Sequence, residues 1–183
     1  MRVVAFVGSP RKGGNSDQLT DAILAGAAEA GHETEKLYLC DYALTPIDAV
    51  YGAEENWTDP RQGPADELIE RMVAADVVVL ASPVYWFSVS GLMKLFIDRW
   101  ALYQRDGRRL MDLMPGKRVA AALALADPEP GYLDMVLGPL QQAAKWLRMT
   151  WAGEVVATSV ADPGDLAAQP GVLAAARELG RAL

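Results

Sequence analysis

The chain has 183 residues, 51% of them hydrophobic and 22% charged. That is the make-up of an ordinary globular domain, long enough to bury about 70% of the surface its unfolded form would expose. The formal net charge is −7 and the isoelectric point about 4.7. The chain therefore lacks the basic character that binding a phosphate backbone requires, and nucleic acid is not expected as a partner. Cys40 is the one cysteine and His32 the one histidine. An internal disulfide, a multi-ligand Cys/His zinc site and a cluster held by several thiolates are excluded.

Residues 3–7 (Val-Val-Ala-Phe-Val) form a continuous apolar run, too short for a signal peptide or a membrane span. They read as a first strand, in a chain expected to be cytoplasmic and to have no membrane partner. Residues 16–30 read as a helix with Leu19, Ile23 and Ala27 on one stripe. His32 follows in a helix-to-strand turn and is expected to be solvated, so no histidine-based triad is anticipated. Residues 34–39 form a half-polar strand. Residues 41–63 are a long connection without periodicity, holding Pro46, Gly52, Trp57, Pro60 and Gly63; connections of this length are often functional. A helix over 65–75 and an apolar strand over 77–81 follow. A helix over 89–103, a strand over 119–126, a helix over 133–148, a short strand over 154–158 and a final amphipathic helix over 171–182 complete the chain.

Strands alternate with helices, which defines an α/β class. Crossovers of this length connect parallel strands with right-handed connections. Strands one, three and four are apolar on both faces and belong inside the sheet; strands two and five are charged or short and belong at its edges. The order 2-1-3-4-5 satisfies that pattern. It predicts a flavodoxin-like three-layer sandwich with a five-stranded parallel sheet, as a single domain over residues 1–183. In this order the chain reverses direction between strands one and three, and ligands bind in the crevice there. The site is expected just after Val7 and just after Ala81.

Gly8 to Ser16 (Gly-Ser-Pro-Arg-Lys-Gly-Gly-Asn-Ser) has the parts of an anion cradle. Glycines 8, 13 and 14 permit close approach and positive φ. Ser9 and Ser16 offer hydroxyls, and Asn15 or Ser16 is a candidate N-cap. The free amides of the following helix carry partial positive charge, and Arg11 and Lys12 add formal charge. The loop is neither a Walker A motif nor a G-x-G-x-x-G fingerprint; a plain strand-to-helix turn is the bland alternative.

Ser82-Pro83-Val84-Tyr85-Trp86-Phe87 follows the buried third strand with three consecutive aromatics. A flat heteroaromatic ligand fits such a loop; a core plug or a dimer contact fits it as well. Its place opposite the first loop favours a ligand.

With these blocks in view, the sequence resembles the NADPH-dependent FMN reductase-like family of flavodoxin-like flavoproteins. The matching residues are Gly8-Ser9-Pro10-Arg11, Gly13-Gly14-Asn15-Ser16, Ser82-Pro83-Val84-Tyr85-Trp86 and Leu92-Met93-Lys94-Leu95-Phe96-Ile97-Asp98-Arg99. The resemblance implies non-covalent FMN with NADH or NADPH as co-substrate. It also implies a cytoplasmic homodimer and transfer of hydride through the flavin to a small-molecule quinone, flavin, nitro or azo acceptor. Carried over by position, Ser9, Arg11, Asn15 and Ser16 would hold the phosphate. Ser82, which opens the second block, is expected among the cofactor-binding residues, and Pro83, Val84, Tyr85 and Trp86 would line the isoalloxazine ring. Lys94 and Arg99 lie on a helix that often contributes to the dimer face, or on a solvated surface.

Three departures stand out. Cys40 alone remains of the cysteine cluster that some relatives carry, so no iron–sulfur cluster is possible. Phe87 stands where relatives often have glycine. Residues 126–132 (Ala-Asp-Pro-Glu-Pro-Gly-Tyr) are stiffened by two prolines where relatives are often glycine-rich. A tyrosine phosphatase on this topology would need a cysteine in the first loop. A response regulator would need acids at the ends of strands one and three. Neither condition is met. An FMN-binding electron carrier or sensor without nicotinamide turnover is the alternative from another class. No acid–base dyad is visible, and a flavin reaction needs none from the protein.

Overall fold

The computed structural model describes residues 1–47, 64–103 and 109–183. Strand β1 (Arg2–Val7) is buried from Val3 onward. Helix α1 (Asn15–Glu29) follows, then the half-buried strand β2 (Glu33–Tyr38), helix α2 (Pro64–Ala74) and strand β3 (Val77–Tyr85). A two-residue strand β4 (Ser88–Val89) turns back on β3, and α3 (Gly91–Asp98) leaves it. A 3₁₀ turn (Arg99–Tyr103) and the short α4 (Leu110–Leu113) lead to β5 (Arg118–Ala124). Helix α5 (Leu133–Trp146), strand β6 (Thr150–Ala157), a 3₁₀ turn (Asp165–Ala168) and helix α6 (Pro170–Ala182) complete the described chain.

The main sheet runs β2-β1-β3-β5-β6, all neighbours parallel, and β4 pairs antiparallel with β3. With the hairpin strand set aside, this is the expected order 2-1-3-4-5. Side chains alternate along a strand, so β1 feeds both faces. Val4 and Phe6 join one core with Leu68, Ile69 and Met72 of α2, Phe96 of α3, and Leu137 and Leu140 of α5. Phe6 stacks on Phe96 with ring centroids 4.6 Å apart. Val3, Ala5 and Val7 join the other core with Leu19, Ile23 and Ala27 of α1 and Ala176 of α6. The helices thus cover both faces of the sheet.

Helices α1 and α6 cross backbone against backbone at two glycines. A Cβ on Gly26 would lie 1.9 Å from the Arg177 carbonyl oxygen, and one on Gly180 would lie 1.9 Å from that of Ile23. Glu29 flanks the crossing with ion pairs to Arg177 and Arg181.

Two boundaries differ from expectation. The helix expected over 89–103 is shorter, because Ser88–Val89 pairs with Val84–Tyr85 and Ser90 then caps α3 by accepting the Met93 amide at 3.1 Å. The last strand begins at Thr150 rather than 154, since Thr150 and Trp151 pair with Arg118 and Val119 before a register shift. Gly153, at φ +132°, lies just past that shift. Of the long 41–63 connection, residues 48–63 lie outside the described residues.

Candidate cofactor site

The carboxyl ends of β1, β3 and β5, with the loop after β6, form a cleft of about 280 Å³, near the lower end for small-molecule sites. Its walls are Ser9, Arg11, Gly14, Asn15 and Ser16 on one side, Pro83, Val84 and Tyr85 on another. Ala124, Leu125, Ala126, Val160 and Ala161 complete them. The two segments expected to meet at the point of chain reversal do meet.

The first loop is bolted to the second at its root. The Gly8 amide donates to the Ala81 carbonyl at 2.7 Å. The Ser90 hydroxyl donates to the Gly8 carbonyl at 2.6 Å, and the Ser90 amide donates to the Ser82 hydroxyl at 2.9 Å. A Cβ on Gly8 would lie 2.8 Å from both the Met93 Cβ and the Ser90 Oγ, so only glycine fits there. Ser82, 1% exposed, therefore closes the hairpin and is not part of the cleft wall.

Farther along, Gly13 takes the left-handed conformation at φ +77°. Its amide donates to Asp17 Oδ2 at 2.6 Å, and its carbonyl accepts from the Gln18 side chain at 2.9 Å. Helix α1 starts after Gly14, with no side-chain cap. The expectation that Asn15 or Ser16 would cap it is corrected. Asn15 turns its amide group to the loop after β6, donating to the Asp162 carbonyl at 3.1 Å and accepting from the Leu166 amide at 3.3 Å.

This leaves a set of donors at the helix start beside the cleft. The backbone amides of Asn15, Ser16 and Asp17 and the Ser16 hydroxyl have no partner among the described residues. Arg11 has no carboxylate partner there either; it reaches the Ala161 carbonyl at 3.3 Å. Ser9 accepts from the Arg11 amide at 3.2 Å and keeps its own hydroxyl proton available. Lys12, by contrast, pairs with Asp41 at 2.8 Å and lies over the Tyr38 ring. Only one of the two loop cations lines the cleft.

The carboxylate in the helix's own first turn is held by other partners. Asp17 is 3% exposed, and its oxygens accept from Gly13, from Lys36 Nζ at 2.6 Å and from the Tyr38 hydroxyl at 2.9 and 3.0 Å. Burial alone would raise its pKa, but Lys36, the Gly13 amide and Tyr38 together hold it below the ordinary aspartate value. Donors without a facing acceptor are what a phosphate dianion needs at a helix start. The cleft beyond is walled by proline, aliphatic and tyrosine surface, which suits a flat ring.

Trp86 is not brought to that wall. It sits at the hairpin tip, 92% exposed. Trp86 and Phe87 both have positive φ, +49° and +64°. Phe87 meets Tyr132 edge-on at 4.8 Å, so the residue in place of the common glycine touches the proline-rich loop. Lys94 pairs with Asp98 on the α3 surface, and Arg99 donates to the Thr45 hydroxyl.

The sequence reading missed Ser90 and the Asp17–Lys36–Tyr38 group. Ser90 had a signal: a serine two residues before the apolar run Leu92-Met93 is an N-cap pattern. The other three had none, since an acid in a first turn is ordinary on dipole grounds alone.

Fold and cleft define a flavodoxin-like α/β protein with open hydrogen-bond donors beside an apolar slot. The chain belongs to the NADPH-dependent FMN reductase family, whose pattern matches residues 1–163. It is 38% identical over 108 residues to a Bacillus subtilis protein that carries the provisional name NAD(P)H-dependent FMN-containing oxidoreductase YwqN; the match covers 59% of this chain and 56% of that one. It is 37% identical over 99 residues to an iron–sulfur flavoprotein of Methanocaldococcus jannaschii, covering 54% of this chain and 51% of that one. The chain thus spans about half the length of these two curated relatives. Among solved structures it resembles the Trp repressor binding protein from Bacillus subtilis, with a TM-score of 0.75, 25% identity and 98% of each chain covered.

Proposed function

We propose that the chain binds FMN non-covalently in this cleft and acts as an NAD(P)H-dependent oxidoreductase toward small-molecule acceptors of the quinone, flavin, nitro or azo class. The observation that carries the reading is the donor-only cradle of α1 opening onto an apolar slot. Membership in the FMN reductase family supports it.

The first-turn amides, the Ser16 and Ser9 hydroxyls, the Asn15 main chain and Arg11 hold the phosphate. Pro83, Val84 and Tyr85 flank the ring from one side and Ala124 to Ala126 from the other. Ser82 and Ser90 fix the spacing between the two walls. Trp86 stands at the rim. FMN, when bound, supplies the two-electron chemistry between nicotinamide and acceptor. The protein's part is to hold the ring and leave one face open to each substrate in turn, which gives ping-pong kinetics.

The working unit of this reading is a cytoplasmic homodimer of single-domain chains without a nucleic-acid partner; the net charge of −7 supports the last point. Among the described residues no helix is long and apolar enough to cross a membrane.

The test is a visible spectrum of the purified protein followed by anaerobic addition of NADH or NADPH. A flavin band bleached by either nucleotide supports the oxidoreductase. A flavin band that persists indicates an electron carrier instead. Colourless protein that cannot be reconstituted with FMN ends the reading.

A further inference from the structure

Asp17 poses a problem for any anion site. It puts a buried carboxylate in the first turn of the helix whose open amides lie beside the cleft. A like charge so close opposes a phosphate unless it is neutralised and does something in return. Both conditions are met. Lys36 neutralises it at 2.6 Å and also pairs with Asp21. In return Asp17 holds the Gly13 amide at 2.6 Å, while Gln18 holds the Gly13 carbonyl. The Gly13 peptide is thus gripped at both ends, and the Gly14 amide closes the turn on the Arg11 carbonyl at 3.1 Å.

The grip is anchored in the sheet. Lys36 and Tyr38 are two residues apart on β2, opposite Ala5 and Val7 of β1, and so project to the α1 face. Tyr38 is the hub. Its hydroxyl donates to Asp17, and its ring lies 4.7 Å from Lys12 Nζ and 5.1 Å from Lys36 Nζ. Lys12 is in turn fixed by Asp41. The loop from Arg11 to Gly14 is therefore tied to the end of β2 and the turn after it, around one aromatic ring.

We propose that Asp17, held by Lys36 and Tyr38, is a positioning residue that sets the Gly13–Ser16 backbone for phosphate and so makes the site select FMN over riboflavin. The proposal rests on the FMN reading above. Asp17 touches no ligand; it acts through the Gly13 peptide. Its contribution appears only with a ligand that carries the phosphate, because the walls that flank the ring belong to β3 and β5.

The test compares equilibrium dissociation constants of FMN and riboflavin by flavin fluorescence, for the wild-type protein and for Asp17→Ala, Asp17→Asn and Tyr38→Phe. Wild-type protein is expected to prefer FMN. Asp17→Ala is expected to weaken FMN about ten-fold or more while leaving riboflavin within about two-fold. Asp17→Asn, which keeps an acceptor oxygen, is expected to recover part of the loss, and Tyr38→Phe to fall between Asn and wild type. Equal weakening of both flavins overturns the proposal by showing a merely structural role. So does tighter FMN binding in Asp17→Ala, which would mean that charge repulsion dominates. If Asp17→Ala does not fold, Tyr38→Phe decides on the same ratio. Wild-type protein that binds both flavins equally overturns the proposal and leaves the FMN reading intact; protein that binds neither ends both. FMN selectivity without nicotinamide turnover removes the oxidoreductase activity and leaves the positioning role standing.

Discussion

The two walls of the cleft solve the same problem in opposite ways. On the α1 side the one left-handed residue is Gly13, at φ +77°, held by a buried carboxylate. On the β3 side two bulky aromatics, Trp86 and Phe87, take left-handed conformations in a turn that normally uses asparagine and glycine. Trp86 there is almost fully exposed. The first wall is inexpensive in backbone energy and rich in polar bonds. The second is strained, and is kept in place by the β3–β4 pairing and by the edge contact of Phe87 with Tyr132. The contrast teaches that the proposed phosphate end is organised by its own hydrogen bonds, whereas the proposed ring end holds a conformation its sequence disfavours. Strain of that kind persists at functional sites, where surrounding contacts over-determine it.

The most damaging change should strike the foundation of the first wall. Gly26→Ala places a methyl on the Arg177 carbonyl. It is expected to cost about 3 kcal/mol, the upper range for overpacking, and to lower Tm by roughly 6–12 °C in a thermal melt. An unchanged Tm would mean that α1 and α6 are not tightly joined. Next comes the bolt between the walls. Ser90→Ala removes the cap of α3 and the bond to Gly8 and is expected to cost about 2 kcal/mol in denaturant unfolding.

Within the first wall, Arg11→Ala should weaken FMN binding about ten-fold, while Lys12→Ala changes it far less, because Lys12 is engaged by Asp41. Equal losses would erase the distinction between the two cations. In the second wall the sign reverses. Trp86→Asn, which tolerates left-handed φ, is expected to stabilise the protein by about 0.5–1 kcal/mol; a lower Tm would show that the turn is not strained.

The smallest effect is confined to acid. Since the folded-state pKa of Asp17 is depressed, its contribution to stability is complete above the ordinary aspartate value of about 3.9. It is lost as pH falls through the lower, folded value. The stability gap between wild type and Asp17→Asn should therefore be flat at neutral pH and narrow below about pH 4. A gap that widens on acidification would contradict the assignment.

The sheet order was legible because burial leaves a compositional mark: Val77 to Ala81 and Val119 to Leu123 are apolar throughout, whereas Glu33 to Tyr38 is half polar. Both cleft segments were legible for a related reason, since they had to follow interior strands at the point of chain reversal. Single polar pairings were not. Whether Lys36 faces Asp17 depends on the register of β2 against β1, and a one-residue slip would send it to the other face. The destination of the Asn15 amide depends on a loop some 150 residues away in sequence. The hairpin was missed because Trp86-Phe87 carries none of the glycine or asparagine that marks such a turn.

The crossing of α1 with α6 has a consequence for how this protein can vary. At Gly26 and at Gly180 the atom that an added methyl would strike is a main-chain carbonyl oxygen, not the end of a movable side chain. No substitution on the opposing helix can make room, because every residue type presents the same carbonyl. The joint works like a tongue in a groove, and second-site suppressors of a change at either glycine would have to shift a whole helix.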